Sequence, residues 1–220
     1  MSFFVTGTDT NVGKTLIASA LLHILADRGL RVVGMKPVAA GVDAGMWHDV
    51  MALQQASNVD APLAWRNPYR FNPPAAPHLA AAQVGVEMTL SVMHAAYVEL
   101  SQLADVVVVE GAGGFCVPIN AMQTLADFSQ QLNVPVILVV GMRLGCINHA
   151  LLTVAAIHAY GLPLAGWVAN CVEENMPMLD GNIQSLTQRI SAPLLGIVPF
   201  MPSADAHAVA LCLQGDKLCL

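Results

Sequence analysis

Phe3-Phe4-Val5-Thr6-Gly7-Thr8-Asp9-Thr10-Asn11-Val12-Gly13-Lys14-Thr15 is the stretch whose reading decides the fold. Its apolar start, Phe3 to Thr6, is of strand type. After a glycine-bearing loop comes Lys14 to Ala26, in which Leu16, Ile17, Ala20, Leu21, Ile24 and Leu25 recur at helical spacing and Gly29 is placed to end the helix. Strand, glycine loop and helix in that order make a phosphate cradle. Backbone N–H groups and the positive end of the helix hold a diphosphate, Lys14 reaches the outer phosphates, and the Thr15 hydroxyl binds Mg²⁺. The spacing departs from the usual G-x-x-x-x-G-K-T, because the leading glycine, Gly7, stands one residue early.

Outward from this unit, short β-branched runs alternate with helical patterns. Arg31 to Val38 is expected as the second strand, and Asp49 to Ala56 as a short helix capped by Asp49. The Pro-rich stretch Asn67 to Pro77 is expected to be irregular and is a candidate lid. Leu90 to Leu103 suits a helix, and Val106-Val107-Val108-Val109 suits a strand covered on both faces, ending at Glu110. Strands at Pro135 to Val140, Leu164 to Ala169 and Leu194 to Val198 follow, with helices at Ile147 to Tyr160 and Ile183 to Ile190. This rhythm predicts an α/β fold: a doubly wound, mostly parallel sheet with helices on both faces, P-loop NTPase-like. No repeat, low-complexity tract or linker divides the chain, so one domain over residues 1–220 is expected.

Hydrophobic residues are 55% of the 220 and charged residues 11%, which excludes a disordered chain. Nine Lys+Arg against 15 Asp+Glu give a net charge of −6 without a basic run, which disfavours a nucleic-acid partner. Five scattered cysteines without a CxxC pair fit reduced thiols, and the first residues lack a basic leader, so a cytoplasmic protein is expected. Leu144 to Val172 contains no Asp, Glu, Lys or Arg. The break Gly161-Leu162-Pro163 nevertheless makes it a buried helix followed by a strand rather than a membrane span.

The remaining candidates fall at strand ends, with Asp49 at a helix start. Lys36 closes the second strand, either as an ordinary strand-end lysine or as a second cation for a transferring phosphoryl group. Asp49 is a helix cap or a Mg²⁺ ligand. Glu110 precedes Gly111-Ala112-Gly113-Gly114 and is either an exposed surface acid or one that, beside closely approachable backbone, completes a Mg²⁺ shell shared with phosphate. Asn170 is a turn residue or a group that donates to and accepts from an adenine edge. The seven histidines lack zinc-ligand spacing, and no G-x-S-x-G elbow is present.

Gly7 to Thr15, Met35-Lys36-Pro37-Val38-Ala39, Val109-Glu110-Gly111-Ala112-Gly113-Gly114 and Leu144-Gly145-Cys146-Ile147-Asn148-His149-Ala150 together resemble the dethiobiotin synthetase family. Pro135 to Gly141 and Ala165 to Asn170 extend the likeness over nearly the whole chain. The resemblance implies an ATP- and Mg²⁺-dependent ligase that joins 7,8-diaminononanoate and CO₂ (supplied as bicarbonate) into a cyclic urea, with ATP as co-substrate. A carbamate and a carbamic–phosphoric mixed anhydride are the implied intermediates. It assigns nucleotide contacts to Asn11, Val12, Gly13, Lys14, Thr15 and Leu16, to Glu110, Gly111, Ala112 and Gly113, and to Asn170, Cys171, Pro199, Phe200 and Met201. Mg²⁺ falls to Thr15, Asp49 and Glu110, the catalytic cations are Lys14 and Lys36, and the diamine falls to Thr10, Lys36, Ala40, Gly145, Cys146 and Asn148. A homodimer is implied, with the Gly145 to Ala150 segment receiving the substrate carboxylate across the interface.

The chain departs from the family pattern at Ala40, where a serine is frequent, at Asn11, where Glu occurs, and at Cys171, where Asp is common. Two other readings share the phosphate loop. One is a ParA- or MinD-like ATPase switch, whose signature lysine is replaced here by Asp9; the other is a nucleotide-binding paralogue without ligase activity.

Overall fold

The apolar strand runs belong to a sheet clad by helices on both sides, which removes any need for alternating polarity. In the computed structural model, which describes residues 2–203 and 205–218, β1 (Ser2–Gly7) leads through the glycine loop to α1 (Lys14–Asp27). Strands β2 (Val32–Met35) and β3 (Val38–Ala40), helices α2 (His48–Ala56) and α3 (Leu63–Arg66) and strand β4 (Tyr69–Phe71) follow. Next come α4 (Pro77–Gln83), α5 (Leu90–Leu103), β5 (Val106–Glu110) and α6 (Leu125–Leu132). The chain then runs through β6 (Val136–Met142), α7 (Cys146–Ala159), β7 (Leu164–Cys171), α8 (Leu179–Arg189), β8 (Leu194–Val198) and α9 (Ala206–Ala210).

Six strands form a parallel sheet in the order β2-β5-β1-β6-β7-β8, while β3 and β4 pair in a separate two-stranded parallel sheet. The pleat sorts neighbouring residues to opposite faces. Phe3, Val5, Val106, Val108, Ile137 and Val139 pack with Ile17 and Leu21 of α1, Leu53 of α2 and Val209 of α9. Phe4, Val107, Val109 and Val136 pack on the other side with Met93 and Leu100 of α5 and Phe128 of α6. Leu138, Val140 and Trp167 continue that side under α7 and α8. This is the doubly wound arrangement expected. Because β1 lies between β5 and β6, its loop opens where the chain order reverses across the sheet, at the carboxyl edge.

Helix α1 ends as expected at Gly29 (φ 79°), whose N–H donates to Ala26 O while Leu30 N–H donates to Leu25 O. Leu144 to Val172 is helix α7 and strand β7 with their connections, and no helix among the described residues is long and apolar enough to cross a membrane.

Several expectations are corrected. The second strand stops at Met35 rather than Val38, because Lys36-Pro37 is a joint from which β3 departs to pair with β4. The stretch from Asn67 to Pro77 is therefore not wholly irregular; it contains β4 and enters α4 at Pro77. Asp49 is not the cap of α2. Trp47 occupies that position, and Asp49 lies in the first turn, where a carboxylate still favours the helix dipole. Asn170 lies inside β7, which continues to Cys171.

Candidate active site

The glycine loop owes its shape to close packing around Val12. A Cβ on Gly7 would lie 2.6 Å from Val12 Cγ2, and one on Gly141 of β6 would lie 2.7 Å from Val12 Cγ1. Both glycines are thus required by the valine between them. Asn11 (φ 58°) and Gly13 (φ 88°) carry the left-handed turns; asparagine is among the side chains that tolerate that region. The loop is pinned from outside by Thr8 N–H donating to Val139 O at 3.0 Å and by the Arg143–Asp9 ion pair. Lys14 Nζ rests on Asp9 O at 2.8 Å.

At the tip of β5, Glu110 is fully buried. Its Oε1 accepts from the Thr15 hydroxyl at 2.8 Å and from Lys36 Nζ at 2.6 Å. Lys36 Nζ also lies 2.7 Å from Asp49 Oδ2, with only 4% of its side chain exposed. Five residues from three elements and the β2–β3 joint (Lys14, Thr15, Asp49, Glu110 and Lys36) therefore meet at one corner. The plain strand-end reading of Lys36 does not fit its burial.

Charge in this corner is strongly coupled. Burial, reinforced by the Lys36 ammonium, lowers Lys14 to about 8. Burial also works against the Lys36 charge, but Glu110 and Asp49 outweigh it and hold Lys36 above an ordinary lysine. Burial raises the Glu110 carboxyl, with Asp49 adding to the rise and Lys36 opposing it. Asp49 is held below the usual carboxylate range: burial pushes upward, and Lys36 together with the Thr15 hydrogen bond overcomes it.

Glu110 Oε2 is buried without a hydrogen-bond partner, which is costly unless a ligand completes it. An orphaned carboxylate oxygen beside the Asp49 carboxylate and the Thr15 hydroxyl is an all-oxygen donor set. Such a set, with only two carboxylates, suits Mg²⁺ completed by phosphate and water, and the residues fit that ion.

A second cleft joins the loop to the ends of β7 and β8, lined by Asn11, Gly13, Leu16, Asn170, Cys171, Pro199, Phe200 and Met201. Asn170 Nδ2 donates to Val12 O at 2.9 Å, so one amide hydrogen is committed to the loop and Oδ1 is the group left to accept. Burial raises the pKa of the Cys171 thiol in this cleft. Gly111 is buried, with Ala112 and Gly113 half-buried after it, and Gly111 O lies 3.4 Å from Lys36 Nζ.

The diamine candidates are more scattered. Thr10 is exposed on the loop, and Ala40 ends β3. Gly145 (φ 92°) opens α7, Asn148 is exposed on its first turn, and Cys146 N–H donates to Arg143 O. The Cys146 side chain is buried and directed at Asn182 of α8, 3.9 Å away, so the thiol faces away from the loop. The sequence reading missed Arg143, which ties the α7 turn to Asp9, and Asn67, which is fully buried and bonded to the Lys36 main chain.

A family model described as an AAA domain matches residues 1–208. The chain is 52% identical to the ATP-dependent dethiobiotin synthetase BioD of Nitrosospira multiformis, over 96% of this chain and 94% of that protein. It is 51% identical to the protein of the same name from Aromatoleum aromaticum, over 97% and 96%. Among solved structures, the septum site-determining protein MinD of Pyrococcus horikoshii, complexed with Mg-ADP, superposes with a TM-score of 0.62 at 12% identity, covering 99% of this chain and 96% of that one. The signal recognition particle receptor FtsY of Elizabethkingia anophelis gives 0.54 at 20% identity, with this chain spanning 63% of its length. The latter two likenesses concern the fold alone.

Proposed function

This chain belongs to the ATP-dependent dethiobiotin synthetases, the dethiobiotin-forming ligases of biotin biosynthesis, and we propose that it closes the cyclic urea by phosphorylating a carbamate at the corner where Lys36 meets Glu110. The observation that carries this reading is the buried Lys36 ammonium, 2.6 Å from Glu110 and 2.7 Å from Asp49, beside the phosphate loop.

One amine of 7,8-diaminononanoate takes up CO₂ and loses a proton to give a carbamate. A carbamate oxygen then bonds to the γ-phosphorus as the bond to ADP breaks, leaving a carbamic–phosphoric mixed anhydride. The second amine attacks the carbonyl carbon, the C–O bond breaks as phosphate departs with its bonding pair, the amine gives up a proton to solvent, and the ring closes. The protein's task in such a sequence is positioning and electrostatic stabilisation, so a protein nucleophile is not needed.

Lys14 leaves the Asp9 carbonyl to meet the outer phosphates, and Lys36 stabilises charge on the transferring group. Thr15, Asp49 and Glu110 would hold Mg²⁺, which when bound neutralises phosphate charge. Asn170 Oδ1 accepts from an amino group on the base, with Cys171, Pro199, Phe200 and Met201 forming the walls. Thr10 and the end of β3 at Ala40 face the diamine. Gly145 and Asn148 at the start of α7 take its carboxylate through backbone N–H groups, a role suited to a helix N-terminus, while Cys146, whose own N–H is held by Arg143 O, shapes the turn between them.

A single unit over residues 1–220, paired as a homodimer in which this segment serves the neighbouring site, is the assembly we favour; Leu144 and Leu152, 96% and 62% exposed beside the segment, support a partner there. A cytoplasmic location is supported by free thiols at Cys116, Cys146, Cys171 and Cys212 among the described residues.

The test is phosphate release from Mg·ATP and bicarbonate, with and without the diamine, while dethiobiotin is followed by mass. Diamine-dependent release matched by dethiobiotin, lost in Lys36→Met, is the expected result. Equal turnover in Lys36→Met would remove the phosphoryl role of that lysine.

A further inference from the structure

Lys36 stands at an unusual place in the backbone. It lies in the two-residue joint Lys36-Pro37 between β2 of the main sheet and β3 of the small one. Pro37 has no N–H, so the joint cannot continue a regular ladder, and the Lys36 peptide needs other partners to fix its rotation. They come from one short segment, Arg66-Asn67. Lys36 N–H donates to Arg66 O at 2.8 Å, and Lys36 O accepts from Asn67 Nδ2 at 2.7 Å. The same Asn67 amide donates to Tyr69 O at 2.9 Å, while Tyr69 N–H donates to Pro37 O at 3.2 Å. Asn67 is fully buried, its own N–H is anchored on Leu63 O at 2.8 Å, and it touches none of the phosphate-loop residues by hydrogen bond.

We propose that Asn67 is a positioning residue for the ligase reaction: its side-chain amide locks the Lys36 peptide, and through it the direction in which the Lys36 ammonium enters the phosphoryl-transfer corner. The inference rests on the role given above to Lys36. A side chain as long as lysine converts a small rotation of its peptide into a displacement of the ammonium. Both amide hydrogens of Asn67 are used, one on Lys36 O in the joint and one on Tyr69 O of β4, so a substitution that removes them frees the joint without touching the nucleotide.

The predicted consequence is a split in kinetic parameters. Asn67→Ala should lower kcat by about 10²-fold, the effect of misplacing a reacting group by about 1 Å, with KM for ATP and the affinity for Mg·ADP changed by less than about twofold. A purely structural role would instead reduce the folded fraction and leave turnover per nucleotide-binding site unchanged. Leu186→Ala, a core truncation in α8 at the opposite end of the sheet from β2, is the matched control: it should lower the melting temperature while keeping kcat per binding site. Asn67→Asp, nearly isosteric and without the donors when ionised, takes the place of Asn67→Ala under the same criterion if the latter does not fold.

Wild-type kcat per binding site in the Asn67 variant overturns the inference, and so does a fall in kcat matched by an equal loss of nucleotide affinity. Lys36→Met, assayed alongside, separates the two readings. If it is inactive while the Asn67 variant is normal, only the positioning role fails; if it keeps full turnover, the role of Lys36 itself fails.

Discussion

Lys36 Nζ lies 2.6 Å from Glu110 Oε1, inside the sheet edge, with 4% and 1% of the two side chains exposed. This pair joins β5 to the end of β2. It is also half of a four-way contact, since Asp49 draws on the same ammonium and Thr15 donates to the same carboxylate oxygen. Removing the Glu110 charge therefore unbalances a buried cation and removes the orphaned oxygen assigned to the metal. Glu110→Gln should lower kcat by roughly 10²–10³-fold, the scale of losing one preorganised electrostatic contact. Steady-state phosphate release checks this, and an unchanged kcat would contradict the assignment.

Asn170 holds the loop through Val12 O and, in the proposed reading, offers Oδ1 to the base. Asn170→Ala leaves Val12 O buried without its donor, a loss of about 1–3 kcal/mol. Because the contact is made before and during reaction alike, KM for ATP should rise about tenfold or more while kcat changes little. Titration calorimetry with a non-hydrolysable ATP analogue measures the affinity directly.

Two glycines separate backbone strain from loss of the site. Both are left-handed, Gly29 at φ 79° and Gly13 at φ 88°. A Cβ on Gly29 meets nothing within 4 Å, whereas one on Gly13 would sit 2.2 Å from Asn170 Nδ2. Gly29→Ala should therefore cost only the left-handed penalty, about 1–2 kcal/mol, and leave turnover intact. Gly13→Ala carries the same penalty and also displaces Asn170, so nucleotide binding should fall in step with stability.

The His23 and His207 rings stack at 3.7 Å, holding α9 to α1. Burial, with His207 adding to it, lowers the His23 pKa below the usual 6.5, against weaker pulls from Asp27 and Asp205. The unfolded chain then binds the His23 proton more readily than the folded one, so stability rises with pH in that window. It is complete above 6.5 and is lost as pH falls from there toward the lower folded value. Melting temperatures at about pH 7.5 and about pH 5.5 should differ less in His23→Gln than in the parent chain.

The elements that carry the site were legible from sequence because each has a local cause. The loop is written in Gly7, Gly13 and Lys14-Thr15, and β5 in four consecutive valines ending at Glu110. The joint at Lys36 was not legible. That β2 stops at Met35 depends on Pro37 and on a partner strand at Tyr69–Phe71, a non-local pairing that composition does not reveal. Asn67 was hidden for the same reason, since an asparagine before a proline in a Pro-rich stretch looks like a turn. Helix α6 was missed although its signal was present: Thr124-Leu125-Ala126-Asp127 forms a capping box in the structure. Arg143 lay in plain view after β6, but its partner Asp9 is far away in sequence and only the parallel pairing of β1 with β6 brings them together.

In the proposed reaction ATP phosphorylates a carbamate oxygen. This step is tested most directly by running the wild-type reaction with ¹⁸O-labelled CO₂ under conditions of rapid mixing and analysing the phosphate by mass. Attack by the carbamate followed by ring closure moves one labelled oxygen into the released phosphate and leaves the other in the urea of dethiobiotin. Labelled phosphate in proportion to the dethiobiotin formed is the predicted result; unlabelled phosphate alongside normal dethiobiotin would contradict the account.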